Sequence, residues 1–496
     1  MGCVHTEKEE GSMAALKGLK PEKVFEYFEK LCSVPHGSGN TKIISDLCVG
    51  FAKELGLRYR QEACNNLIIW KDGSAGYEQS EPIILQGHID MVCAKTDECA
   101  KDMAAEGLDL RTDGEWVWAD QTSLGGDNGI AIAMMLAILD DDTLHHPQLE
   151  MLMTVDEETS MDGAFGFDCA QLRGHRLINL DSEYEGVLMC SCAGGVDVVC
   201  NLPVLREEKE GCRLTLTVAH LRGGHSGVEI DKGRANANIL MGTLLFRLQN
   251  ELPLGIAEYY GGSRVNAIAS HAEAEILIEK SRLTEYEEHI KQMEAIFRKE
   301  YHASDPDISV NLKLSESGCF SVLDEASAAR MISLLLILPD GMQEMSAEMP
   351  GLVQTSCNLG AASLQESAFT FTSSIRSCME TKKMMLAEKI MRIVVLTGGS
   401  AALEGDYPGW SYQPDSRLKE TLINAYQKVC GIKASAEAVH AGMECGIFAA
   451  GIPNLDCVSI GPTMGDVHTP QEHLSISSVQ RTWKVLLTAL EDARYL

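Results

Sequence analysis

Three short apolar runs in the first 181 residues end in acids or an imidazole, and this pattern constrains the chain most. They are Leu85-Gln86-Gly87-His88-Ile89-Asp90, Met153-Thr154-Val155-Asp156-Glu157-Glu158 and Leu177-Ile178-Asn179-Leu180-Asp181. Runs of this length and composition read as buried strands. Between the first two, Asn128 to Asp140 has the length and composition of a helix. Strands alternating with helices imply an α/β sheet with helices on both faces, and such sheets hold their sites beyond the carboxyl ends of the strands. The acids and the imidazole therefore stand where an α/β fold does its chemistry.

The rest of the chain divides around that pattern. Pro21 to Leu31 and Lys42 to Leu55 have helical spacing, and Asn66 to Trp70 and Pro82 to Leu85 read as strands. Past Gly194-Gly195 the character changes. Leu214, Leu216 and Val218 alternate with Arg213, Thr215 and Thr217, as in a strand with one solvated face. Helices are predicted over Arg234 to Asn250, Leu283 to Tyr301, Asp324 to Leu338 and Lys382 to Thr397, with strands over Glu273 to Glu279, Ile308 to Ser315 and Ser367 to Ser373. From Asp415 the α/β pattern returns, with a helix to about Cys430, a strand at Asn454 to Ile460 and a last helix from Ser477. A chain of 496 residues exceeds one ordinary core. The expected organisation is an extension over 1–20, one domain in two parts over 21–193 and 402–496, and an inserted α+β domain over 194–401. The strand, helix, strand rhythm occurs twice in the insert, which leaves open two α+β units in tandem.

Composition excludes several classes. Apolar residues make up 45% and charged residues 23%, the balance of a soluble globular protein. The longest apolar runs, Met331 to Pro339 and Ile130 to Leu139, fall short of the roughly 20 residues that cross a bilayer. A formal charge of −30 without a Lys/Arg stripe argues against nucleic acid as a partner. The 17 cysteines are scattered rather than paired, which fits free thiols in a reducing, cytoplasmic compartment. The first residues, Met1-Gly2-Cys3-Val4-His5-Thr6, satisfy the N-myristoylation pattern at Gly2, with Cys3 available for a second acyl chain. In a eukaryotic host this would tether the protein to a membrane; the other readings are a plain polar extension or a leader ending at Gly11-Ser12-Met13.

Each chemical motif has an ordinary explanation when taken alone. His88-x-Asp90 is by itself more often an accidental surface pair, yet alternate strand residues point the same way, so Asp90 could orient a metal-binding His88. Asp127, in Gly125-Gly126-Asp127-Asn128-Gly129, reads alone as a tight strand-to-helix turn. Three successive acids, Asp156, Glu157 and Glu158, are solvated loop charges unless a cation intervenes. Asp181 is another strand-end acid, and His468 sits in a loop before the last helix. Together in one α/β domain they are the mixture of imidazole and carboxylate that divalent metals take. Two such ions can share a carboxylate, polarise a carbonyl and lower the pKa of a water between them. A carboxylate outside the ligand set must then take the proton, and Glu157 is predicted for that role because adjacent residues leaving a strand point differently.

From Leu31-Cys32-Ser33-Val34-Pro35-His36 to the C-terminus, the chain resembles the co-catalytic zinc metallopeptidases that include the cytosolic aminoacyl-histidine dipeptidases. The resemblance implies two divalent ions, Zn2+ by preference over Mn2+ or Co2+. His88 and Asp181 would hold one ion, Glu158 and His468 the other, and Asp127 would bridge them. It further implies Glu157 as general acid/base, Asp90 as the orienting carboxylate, and a cis peptide between Asp127 and Asn128. The insert is similar to the family's lid. There His225, in Arg222-Gly223-Gly224-His225-Ser226-Gly227, matches the residue that stabilises the oxyanion. Asn266 and Arg376 match residues that hold a substrate's C-terminal carboxylate, and Glu444 stands where the substrate's amino group would be met. The implied function is hydrolysis of dipeptides, Xaa-His and β-alanyl-His among them, with homodimerisation through the lid left open. Rival readings are an N-acyl amino acid deacylase on the same scaffold and a peptide-binding protein with a dead site. The intact Glu157 argues against the second rival, and no G-x-G-x-x-G supports a dehydrogenase.

Overall fold

The computed structural model describes residues 15–495; Gly2 and Cys3, on which the acylation reading rests, lie outside the described residues. The chain forms two compact units. Unit 1 takes the chain up to Cys190, Gln413–Glu437 and the segment from Ile447 on; unit 2 takes Ser191–Tyr412 and Ala438–Gly446.

Unit 1 is built on an eight-stranded mixed sheet. At its centre Ile83–His88 runs parallel to both Leu149–Thr154 and Arg176–Asn179, and Asp456–Ser459 runs parallel to Arg176–Asn179. Leu67–Lys71 and Arg58–Gln61 extend the sheet antiparallel. All six residues of Ile83–His88 and of Leu149–Thr154 are buried, which is why both read as apolar runs without alternation. The helix Gly126–Leu139 packs on Ile83–His88 and is buried almost all round, so its composition rather than its periodicity identifies it. The C-terminal helix Ile476–Asp492 is amphipathic. It buries Val479, Thr482, Val485, Leu486 and Ala489 at spacings of three and four, and Ser475 caps it by accepting the Ser478 N–H. Its partner Arg417–Cys430 is capped by Ser416 and stopped by Gly431 at φ 70°.

Unit 2 carries a nine-stranded antiparallel sheet. Arg206–Ala219 is one of its long strands, and Leu214, Leu216 and Val218 point into the core while Arg213, Thr215 and Thr217 do not. The helices Ala237–Glu251, Leu283–Glu300, Glu325–Ile337 and Glu380–Leu396 pack on this sheet. The rhythm read twice from the sequence falls on one sheet, joined where Gly255–Gly261 pairs with Val353–Leu364. The sheet continues through Ser400–Tyr407, which pairs with Gly194–Pro203. The α/β class with an inserted α+β unit is thus the observed one. Among the described residues every cysteine is free, and no helix is long and apolar enough to cross a membrane.

Candidate functional site

The parallel strands of unit 1 deliver their polar ends to the carboxyl end of the sheet. His88 closes its strand at 1% exposure, and its Nδ1 lies 3.1 Å from the Asp90 carbonyl oxygen and 3.5 Å from Asp90 Oδ1. That nitrogen is therefore the natural N–H donor, which aims Nε2 at the acids opposite. Nε2 lies 3.2 Å from Asp127 Oδ1 and 3.3 Å from Asp181 Oδ1. Asp90 also receives the Ser38 hydroxyl at 2.8 Å and the backbone N–H groups of Glu157 and Glu158 at 3.3 and 3.4 Å. One carboxylate thus fixes both His88 and the turn that carries Glu157 and Glu158.

Asp127 lies between two imidazoles. Its Oδ1 faces His88, and its Oδ2 lies 3.3 Å from His468 Nε2. His468 Nε2 is also 2.9 Å from Glu158 Oε2. The Asp127–Asn128 peptide is cis. The Asn128 side chain donates to the Leu180 carbonyl at 2.9 Å and accepts the His88 N–H at 3.3 Å, tying the ends of two strands to this turn. His88, Asp127 and Glu158 each offer a ligand atom within 4.8 Å of the others. All five residues read as ligands from the sequence are therefore gathered in unit 1, with Asp90 and Glu157 beside them.

The electrostatics test whether these residues fit a divalent ion. Burial opposes the charge on His88, but Asp181, Asp127 and Asp90 outweigh it and hold the imidazole well above its ordinary pKa. Hydrogen bonds to Asp127 and Glu158 push His468 up to about 11. Burial works against ionisation of Asp127, yet its bonds to His468 and His88 hold its carboxyl below the usual range. Asp181 goes the other way: burial, reinforced by Asp127 and Glu157 against His88, pushes it well up. Burial likewise pushes Glu157 up to about 7, with Glu158, Asp127 and Asp90 adding to it against His88. The concentrated acids favour the protonated form of both imidazoles. Divalent cations supply that charge with the imidazoles neutral and the carboxylates ionised, which is the ligating form of each.

The remaining predicted residues lie in unit 2. His225 sits in a two-stranded ribbon of Gly224–His225 with Ala267–Ile268. Its Nδ1 accepts the N–H groups of Gly227 and Val228 at 3.1 and 3.2 Å, so the ring proton belongs on Nε2, the tautomer of a donor. Asn266 and Arg376 line one cavity of about 250 Å³ together with Asp197, Ser374 and Tyr407. Arg376 is 9% exposed, donates from Nη1 to Tyr407 Oη at 2.8 Å, and has no partner at Nε. Glu444 is fully buried and opens the helix Glu444–Gly451.

Sequence reasoning missed Asn128, Ser38, Tyr407 and Glu472. Glu472 had a weak signal, standing four residues after His468 in His468-Thr469-Pro470-Gln471-Glu472. Tyr407 had none, since its partner Arg376 is 31 residues away.

Comparison with known proteins places the chain in a family. The sequence model of peptidase family M20/M25/M40 matches residues 84–492. The cytosol non-specific dipeptidase of Escherichia coli (strain K12) is 34% identical over 482 residues, 97% of this chain and 99% of that protein. The solved structure of the aminoacylhistidine dipeptidase from Vibrio alginolyticus matches with a TM-score of 0.92 at 34% identity, over 96% of this chain and 98% of that one. Aminopeptidase PepT from Bacillus cereus shares the fold, with a TM-score of 0.55 at 14% identity over 96% of this chain and 99% of that one.

Proposed function

The chain belongs to peptidase family M20/M25/M40, and from that premise we propose that it is a cytoplasmic dipeptidase working with two divalent metal ions, Zn2+ by preference. The observation that carries this reading is Asp127, whose two oxygens face His88 and His468 respectively. A carboxylate held between two imidazoles is the arrangement of a shared ligand, with Asp181 completing the His88 side and Glu158 the His468 side. Bound there, the ions would polarise the substrate carbonyl and lower the pKa of water.

The chain's own residues do the rest. Glu157, pushed up to about 7 by burial, takes a proton from water and returns it to the leaving amine near neutrality. Asp90 keeps His88 in one tautomer and holds the Glu157 backbone in place. Arg376 and Asn266 recognise the substrate's free carboxylate in the unit 2 cavity, and His225 donates from Nε2 to the developing oxyanion. Recognition of a free carboxylate one residue beyond the cleaved bond limits substrates to dipeptides, with Xaa-His and β-alanyl-His among them.

Purified protein is assayed on Gly-Gly, Ala-His, β-alanyl-His and an N-acetylated dipeptide, with and without chelator. Hydrolysis of the free dipeptides that stops with chelator and returns with Zn2+ or Mn2+ supports the reading. Preference for the N-acetylated substrate would instead make the protein a deacylase.

A further inference from the structure

Glu472 is 2% exposed and precedes the short strand His473–Ser475. Its carboxylate accepts four consecutive backbone N–H groups. Oε2 takes Leu124 at 2.8 Å and Gly125 at 3.1 Å, and Oε1 takes Gly126 at 2.8 Å and Asp127 at 3.4 Å. Hydrogen bonds to a carboxylate are among the stronger ones, and burial makes each costly to lose.

Two glycines make this convergence possible. Gly125 adopts φ 65°, and a Cβ there would stand 2.8 Å from Met91 Sδ. A Cβ on Gly126 would stand 3.3 Å from Glu472 Oε1 itself. The turn so formed ends on Asp127. On the other side, Glu472 follows His468 by four residues, and its N–H donates to the Thr469 carbonyl at 3.1 Å, which closes the His468 loop. His468 stands at φ 64°, a left-handed conformation that needs support from its surroundings. Residues 127 and 468 are remote in sequence, yet their side chains must meet at 3.3 Å.

We propose that Glu472 is a positioning residue of the metal centre: it clamps the turn that carries Asp127 to the loop that carries His468, and so sets the shared carboxylate against the second imidazole. The inference rests on the two-ion reading above. It separates Glu472 from Asp90, which orients His88 and the Glu157–Glu158 turn, so the two carboxylates hold different residues of the centre in place.

The test is Glu472→Gln in the full chain, stripped with chelator and titrated with Zn2+ or Mn2+ alone by calorimetry, with bound metal counted after dialysis. The amide nitrogen of Gln faces N–H donors where an oxygen accepted them. The affinity for one ion is expected to fall by about tenfold or more, the scale on which outer groups act on a metal site, while the other ion and a cooperative melt are retained. Gly126→Ala presses on the same oxygen and is expected to weaken the same ion by a smaller factor. Wild-type affinity in both variants overturns the proposal, and loss of the cooperative melt in both overturns it in favour of a merely structural role. Fewer than two ions in the wild type would sink the two-ion reading, while comparison with Glu472→Gln still decides the clamp, because Asp127 faces both imidazoles.

Discussion

Arg376 donates from Nη1 to the phenol oxygen of Tyr407 at 2.8 Å, and Tyr407 is itself held from behind. The Lys383 ammonium, 1% exposed, donates to the Tyr407 carbonyl at 2.7 Å and to Asp406 at 2.6 Å. Gly195 lies against the ring, where a Cβ would come within 2.6 Å of three ring and hydroxyl atoms. This chain of contacts fixes one edge of a planar guanidinium, and the proposed carboxylate recognition would use the rest of the fork. Tyr407→Phe is expected to raise KM for dipeptides several-fold, with a smaller effect on kcat, and to narrow the preference for a free dipeptide over its C-terminal amide. Steady-state kinetics on both substrates check this; an unchanged preference would remove carboxylate recognition from Arg376.

Glu157, proposed above as the general acid/base, is partly buried and donates its backbone N–H to Asp90. Glu157→Gln keeps the shape but not the proton-transfer function. It is expected to lower kcat by about 10²- to 10⁴-fold, the usual contribution of a general acid/base, with bound metal unchanged. Loss of metal together with activity would make Glu157 a ligand and leave the base unassigned.

How much of this was legible in the sequence depended on burial and distance. His88, Glu158 and Asp181 could be placed because each follows an apolar run long enough to read as a strand. The helix Gly126–Leu139 was legible from composition alone. By contrast, Val353–Leu364 buries Thr355, Ser356 and Asn358 in the sheet, and small polar residues at core positions give no hydrophobic period. Ser400–Tyr407 is mostly exposed at a sheet edge, so it also lacked a signal. Glu472 meets Leu124 across 348 residues, and no local pattern reports such a contact.

Removing the metal should cost stability as well as activity. Without cations, Asp127, Glu158, Asp181 and Glu157 crowd the carboxyl end of the sheet with only two imidazoles to offset them. A ligand at 100 times its Kd stabilises by about 2.7 kcal/mol, so chelator is expected to lower Tm by several degrees and re-addition of metal to restore it. Identical melting curves with and without chelator would show that the cluster holds no ion.

Asp340 gives a pH dependence independent of the metal. It lies in unit 2 and accepts the Leu359 N–H at 2.8 Å and the Asn236 amide at 2.9 Å. Burial pushes its carboxyl up to about 6, although both hydrogen bonds favour the charged form. The ordinary value is about 3.9, so the folded chain binds this proton more tightly than the unfolded chain does. The resulting stabilisation is complete below about pH 4 and is lost as pH rises through about 6, on the order of 3 kcal/mol. Asn cannot ionise and keeps the accepting oxygen. Asp340→Asn is therefore expected to match the wild type near pH 4 and to gain on it by that amount at pH 7, as measured by urea unfolding of chelator-treated protein at both values. A constant difference between the two proteins across this range would mean that Asp340 titrates alike in the folded and unfolded chains.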